Sequence, residues 1–210
     1  MKICILRHGE TALNKKAVMQ GRLDEPLNES GRELAAVTGR AMKELGIRFD
    51  RCISSPLKRA DETARILLSE SGNDIPVEYD DRLLEIDFGE FEGKAIPDMG
   101  KEGLLFFTDP IAHEAFPGGE SVRDVMRRTQ DFLKELIAKD DGKTYLVSTH
   151  GCAMRAMTNF LFDDPSDFWH GHAPYNCSLT IVETEGKEAH ITAVDRVYYD
   201  QSLIVDRFRQ

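Results

Sequence analysis

Short apolar runs take turns with longer amphipathic ones along this chain, and that alternation limits the folds open to it more than any other feature. Ile3 to Leu6 is an apolar run of the buried-strand type. Behind Ser30, with Glu33 three residues on, Leu34, Val37, Ala41 and Leu45 recur at helical spacing, so a capping box predicts a helix start at Ser30. RCIS at 51–54 reads as a second strand. Ser55-Pro56 then reads as an N-cap and a first-turn proline, followed by one apolar face of Leu57, Ala60, Ala64, Leu67 and Leu68. Ser121 opens another helix, with Val122, Val125, Met126, Phe132, Leu133, Leu136 and Ile137 on one side. TYLVS at 144–148 runs into Thr149-His150-Gly151 and a helix carrying Ala153, Ala156, Met157 and Phe160. SLTIVE at 178–183 and HITAVD at 190–195, around the turn-like TEGKEA, form a hairpin. Such alternation predicts an α/β fold: a three-layer α/β/α sandwich with a mostly parallel mixed sheet and helices on both faces. Residues 92–119, rich in Gly and Pro around an apolar LLFF, break the rhythm. They are read as a small helical insertion that carries specificity within a single domain spanning 1–210.

No apolar run approaches the roughly 18–20 residues that a membrane helix needs, and no signal peptide is read at the N-terminus. Cys4, Cys52, Cys152 and Cys177 lie far apart with no CxxC pairing, which favours buried reduced thiols and a cytoplasmic protein. The formal net charge of -10 argues against partnership with nucleic acid or an anionic membrane. Residues 1–22 run the other way, with Lys2, Arg7, Lys15, Lys16 and Arg22 against Glu10 alone. Chance clustering and an anion-attracting mouth both fit that local excess.

Ligands of open α/β sheets bind outside the carboxyl ends of the strands. Arg7-His8 follows the first strand, Arg59 follows the second in the first turn of its helix, and His150-Gly151 ends the YLVS strand. If those three strands are parallel neighbours, two histidines and two arginines converge. Guanidinium groups match phosphate oxygens with planar, charge-assisted hydrogen bonds. A neutral imidazole is a nucleophile when its other nitrogen is held as a donor, and a second histidine can donate to a phosphoryl oxygen. Transfer through a phosphohistidine also needs a proton donor for the leaving alkoxide. Glu85, closing an apolar Leu-Leu pair, is the candidate, because a partly buried carboxyl has its pKa raised towards neutrality. Asp81, Asp87, Glu90 and Glu92 are rivals on spacing alone.

RHGET, QGRLDEPLNESG, SSPLKRADETA, LLEIDFGEFEG, PGGES and THG occur in that order over positions 7–151. This series resembles the histidine phosphatase superfamily, which includes cofactor-dependent phosphoglycerate mutases, α-ribazole phosphatases and fructose-2,6-bisphosphatases. The resemblance implies that His8 is the phosphorylated nucleophile, that Arg7, Arg59 and His150 form the phosphate pocket, and that Glu85 is the acid. It implies that Asn14 and Gly21 line the pocket mouth, with Gln20 and Gly151 beside them. It also implies that Glu120 or Ser121 faces the substrate, and that neither metal nor cofactor is needed. The partner expected is a small phosphorylated metabolite.

Leu13 stands where many members have tryptophan, and Glu33 where glutamine is frequent. IDFGEFEG is similar to the phosphatase branch, whereas mutases have a different motif and a longer insertion there. Hydrolysis is therefore the expected activity, with mutase action and a catalytically idle scaffold as the alternatives. With only Lys94 and Lys101 as cations in 92–119, a modest monoester is expected rather than a bisphosphate. His113, His170, His172 and Cys177 suggest a zinc set only weakly, since HxH lacks a spaced partner motif. Trp169 and Tyr175 are expected to be packing residues.

Overall fold

The computed structural model describes residues 1–186 and 188–204. Its elements run β1 (Lys2–Arg7), α1 (Ala12–Lys15), α2 (Glu29–Glu44), β2 (Arg51–Ser54), α3 (Lys58–Ser71), β3 (Val77–Tyr79), α4 (Gly100–Thr108), α5 (Val122–Lys139), β4 (Thr144–Thr149), α6 (Gly151–Thr158), β5 (Leu179–Glu185) and β6 (Glu188–Arg196). The strands form one sheet in the order β3-β2-β4-β1-β5-β6. β3, β2, β4 and β1 are parallel, while β5 is antiparallel to β1, and β6 to β5. The expected mixed, mostly parallel sheet and its terminal hairpin are both present. Lys187 of the predicted turn lies outside the described residues.

The apolar runs of β1 and β4 follow from burial on both faces. Ile3 and Ile5 sit opposite Tyr145 and Val147, and all four pack with Phe132, Leu133 and Leu136 of α5 and Met154 and Met157 of α6. Cys4 and Leu6 turn the other way with Leu146, against Met42 of α2 and Ala64, Leu67 and Leu68 of α3. Period-2 alternation in the strands thus supplies two helical layers at once, and each fully buried large apolar side chain contributes about 1.5–3 kcal/mol. A third cluster, including Phe88, Met99, Phe106, Phe116, Phe168 and Trp169, lies where 92–119 meets the 168–169 segment. Within 92–119 the backbone is helical at Ile96–Met99 and in α4.

Two helix starts differ from expectation. α2 begins at Glu29 on an Asn28 cap whose side chain accepts from Gly31 N–H at 2.8 Å, so Ser30 lies inside the helix. α3 begins at Lys58, not Pro56. Leu57, its N-cap, offers no side-chain bond, and Asp24 accepts from the Lys58 N–H at 2.7 Å in its place. Ser55 is drawn away by a tertiary contact described below. At α5 the expected start holds, since Ser121 and Asp124 form a reciprocal capping box. The strand at 77–79 has no counterpart in the sequence reading, because three residues at a sheet edge are too few to show a period.

Candidate active site

Parallel pairing of β1 with β4 and of β4 with β2 puts three strand ends side by side. The ladder continues one step past each end. His8 N–H donates to the Thr149 carbonyl at 3.0 Å and Ser55 N–H to the Ser148 carbonyl at 2.9 Å. His8, Ser55 and His150 therefore leave the sheet together, and the two imidazole centroids lie 5.2 Å apart. The convergence expected of neighbouring parallel strands is present.

His8 is 3% exposed, and its Nδ1 lies 2.6 Å from the Gly9 carbonyl oxygen. A carbonyl can only accept, so Nδ1 carries the proton and Nε2 carries the lone pair. Gly9 follows because this loop presses on the start of α2. A Cβ at Gly9 would stand 2.6 Å from the Gly31 carbonyl oxygen. His150 is fully buried, and its Nε2 lies 2.8 Å from the Ser55 hydroxyl, which also accepts from Leu57 N–H. If that hydroxyl donates to Nε2, the ring proton sits on Nδ1. Burial first, and then the charge of Arg59, holds the His150 pKa well below its ordinary value. The ring is neutral at neutral pH.

Arg59 occupies the first turn of α3 as expected, and its Nη1 and Nη2 donate to the carbonyls of Leu23 and Gly21, each at 2.7 Å. Gly21 has φ +49°, and a Cβ there would come within 2.2 Å of a Glu92 carboxylate oxygen, so only glycine fits. Burial lowers the Arg59 pKa to about 10, with Glu85 opposing, and the guanidinium stays charged at neutral pH. Arg7 is half-buried, desolvation of its guanidinium lowers its pKa as well, and it donates through Nη1 to the Pro174 carbonyl. Arg7 Nε, Arg59 Nε and His150 Nδ1 are buried with no hydrogen-bond partner among the described residues. Buried polar atoms of this kind call for hydrogen-bond partners, from water or from a ligand.

Glu85 does not have the apolar setting expected of it. Its carboxylate oxygens accept from the N–H groups of Ile86 at 3.0 Å, Cys152 at 3.1 Å and Ala153 at 2.9 Å, the last two at the start of α6. The cause is tertiary: the loop after β3 crosses the N-terminus of α6, whose unpaired N–H groups attract an anion. Arg128 of α5 holds that loop by donating to the carbonyls of Arg82, Leu84 and Glu85. Its other partner, Glu120, also binds Arg22 and the Asp87 N–H. Glu120 thus braces the Glu85 loop, and neither it nor Ser121 lines the pocket.

The cavity, about 120 Å³, is lined by Arg7, His8, Asn14, Gln20, Gly21, Arg59, Glu85 and Gly151; His150 is not among the lining residues, although its ring centroid lies 5.2 Å from that of His8. Of the five acidic candidates only Glu85 is there. Glu92 accepts from the Arg22 N–H, Asp87 from the Gly89 N–H, and Asp81 and Glu90 are exposed. Gln20 is oriented by the Thr11 hydroxyl, and the Asn14 carbonyl oxygen by Thr11 N–H and Asn176 Nδ2. Leu13 and Glu33 stand away from the cavity. The histidines of the zinc reading are scattered: His113 meets Glu102, His170 stacks on Phe162 and His172 on Tyr175. Trp169 packs as expected and also lines the cavity.

Sequence reasoning missed three supporting residues: Ser55, Arg128, and Asn176, whose amide donates to the His8 carbonyl at 2.9 Å. Ser55 was visible but was assigned to a helix cap. The other two carry no local signal, since each acts on a segment tens of residues away.

Known proteins are similar to this one over nearly the whole chain. The chain is 30% identical to a 2,3-bisphosphoglycerate-dependent phosphoglycerate mutase of Lachnoclostridium phytofermentans, over 89% of this chain and 88% of that one. Among solved structures, Bacillus stearothermophilus YhfR superposes with a TM-score of 0.83 at 32% identity, covering 93% of this chain and 97% of its own. The mycobacterial glucosyl-3-phosphoglycerate phosphatase solved with VO3 gives 0.79 at 27% identity, covering 92% and 98%. The description "Histidine phosphatase superfamily (branch 1)" matches residues 3–196, from the first strand to the end of the last. On that match the chain belongs to branch 1 of the histidine phosphatase superfamily.

Proposed function

We propose that this protein hydrolyses phosphomonoesters without a metal, through a phosphohistidine on His8. The observation that carries the reading is the His8 tautomer. Its Nδ1 is committed to the Gly9 carbonyl, so the Nε2 lone pair serves as nucleophile in a cavity that Arg7, Arg59 and Glu85 also line. Nε2 attacks phosphorus in line, the N–P bond forms, and the P–O bond to the alcohol breaks. A protonated Glu85 gives its proton to the departing oxygen. Arg7, Arg59 and the Nδ1–H of His150 stabilise the phosphoryl oxygens as charge builds. Water then attacks the phosphohistidine, yielding its proton to the Glu85 carboxylate. The N–P bond breaks and inorganic phosphate leaves.

A mutase is the second reading, favoured by the name of the Lachnoclostridium phytofermentans relative. It differs only in the acceptor, a substrate hydroxyl in place of water. Hydrolysis is preferred because Arg7 and Arg59 are the only cations lining the cavity among the described residues, which leaves none for the carboxylate of a phosphoglycerate.

The test compares wild type with His8→Ala, both in EDTA. The substrates are a phosphomonoester panel and 3-phosphoglycerate with its bisphosphate activator, and phosphate and 2-phosphoglycerate are measured separately. Phosphate release that survives chelation and is lost in the variant is expected. Predominant 2-phosphoglycerate would establish the mutase, and release that persists in His8→Ala would remove His8 from the chemistry.

A further inference from the structure

The phosphoryl group accounts for only part of the cavity. Much of its remaining wall is apolar, with Val18, Met19, Ile96, Phe106, Phe107 and Trp169, beside the polar side chains of Asn14 and Gln20. We propose that this wall selects the alcohol, and that the preferred substrates are monoesters of apolar alkyl or aryl alcohols that carry no second anionic group. The inference rests on the phosphatase reading and names its substrate class.

Three observations converge on it. The wall comes from three separate segments, so its apolar character is not the accident of one helix face. It is also pre-formed: Phe106 is 1% and Trp169 8% exposed, their rings meet edge to face at 5.8 Å, and Phe107 stacks on Trp169 at 6.3 Å. Lastly, the nearby cations are turned to other partners. Lys94 Nζ lies 3.8 Å from the centre of the Phe91 ring, and the Arg22 guanidinium is paired with Glu120. A polyol or carboxylate placed against Val18, Met19, Ile96, Phe106 and Phe107 would give up hydration that these side chains cannot replace, whereas each methylene gains by leaving water. Burial of one methylene corresponds to about a fourfold gain in affinity.

Binding and turnover are measured separately. For binding, alkylphosphonates from propyl to hexyl and 3-phosphonopropionate are titrated by calorimetry. The fluorescence of Trp169, the only tryptophan of the chain, reports that the ligand sits in this cavity. Kd should fall about fourfold per methylene, and the carboxylated phosphonate should bind at least about tenfold more weakly than its alkyl counterpart. For turnover, kcat/KM is compared for butyl phosphate, hexyl phosphate and glycerol 3-phosphate. All are esters of primary alcohols, so leaving-group basicity changes little. Phe107→Arg, at a half-buried position, should reduce the hexyl-to-glycerol ratio at least about tenfold. A Kd series that is flat or favours the carboxylate, with turnover intact, overturns the inference alone. A Kd series that falls as expected, with no phosphate released from any ester, overturns the hydrolytic reading, and the substrate class with it.

Discussion

At the scale of single residues the site holds its key side chains in place by committing part of each to backbone carbonyls. His8 spends Nδ1 on a carbonyl, and Arg59 spends both Nη groups on the carbonyls of Leu23 and Gly21. That second commitment makes lysine a poor replacement, because an ammonium cannot hold two carbonyls and still present a planar donor. Arg59→Lys is expected to lower kcat/KM about 100-fold, the usual effect of losing one transition-state donor. Glu85→Gln removes the transferable proton and should lower kcat/KM for alkyl phosphates by about 10²–10⁴-fold. The loss should be smaller for p-nitrophenyl phosphate, whose phenolate departs without protonation. An equal loss on both substrates would count against the acid role. Glu85 was legible as a candidate from its place after two leucines. Its acceptance of three backbone N–H groups was not, because two of the donors lie 67 and 68 residues further on.

Among elements, loops carry the chemistry and helices hold the loops. The segment 17–23 brings Gly21 against Glu92 and Ile86 and supplies two carbonyls to Arg59. Gly21→Ala introduces a Cβ at φ +49° and 2.2 Å from a Glu92 oxygen, so the segment must shift. A stability loss of about 2 kcal/mol is expected in urea unfolding, with a raised KM because Arg59 loses its support. The two misplaced helix starts teach the same lesson in reverse. Ser30 and Ser55 both satisfy local capping rules, but Asn28 reaches Gly31 first and Ser55 is taken by His150. A local pattern yields when a competing partner arrives from elsewhere in the fold.

For the whole molecule, burial of the site makes stability depend on pH. His150 is fully buried with its pKa held well below 6.5, by burial first and by Arg59 next. In the unfolded chain it takes up a proton near pH 6.5, so acid favours unfolding. Its contribution is complete above that pH and is lost as pH falls below it, at up to about 1.4 kcal/mol per pH unit until the folded pKa is reached. Between pH 7.5 and 5.5, urea unfolding of wild type should show a loss exceeding that of His150→Gln by about 1.4 kcal/mol. Identical losses would mean that the ring takes up its proton in the native state over the same pH range as in the unfolded chain. Cys4 and Cys52 are buried too, and burial pushes both thiols up to about 12, in keeping with the reduced interior thiols expected from their spacing.

The amino-acid sequence by itself determined the α/β alternation, the capping of α5, and the strand ends that carry His8 and His150. Each of these is written in near neighbours, through period-2 runs, period-3.6 faces and capping residues. Arg7, Arg59 and Glu85 were readable as residue types in strand-end or loop positions. Only the tertiary structure decided that β4 lies between β1 and β2, that Ser55 serves His150, that Arg128 grips the Glu85 loop, and that an aromatic wall closes the cavity. Those outcomes depend on contacts between segments distant in the chain, where burial and unpaired polar groups, and not local propensity, choose the partner.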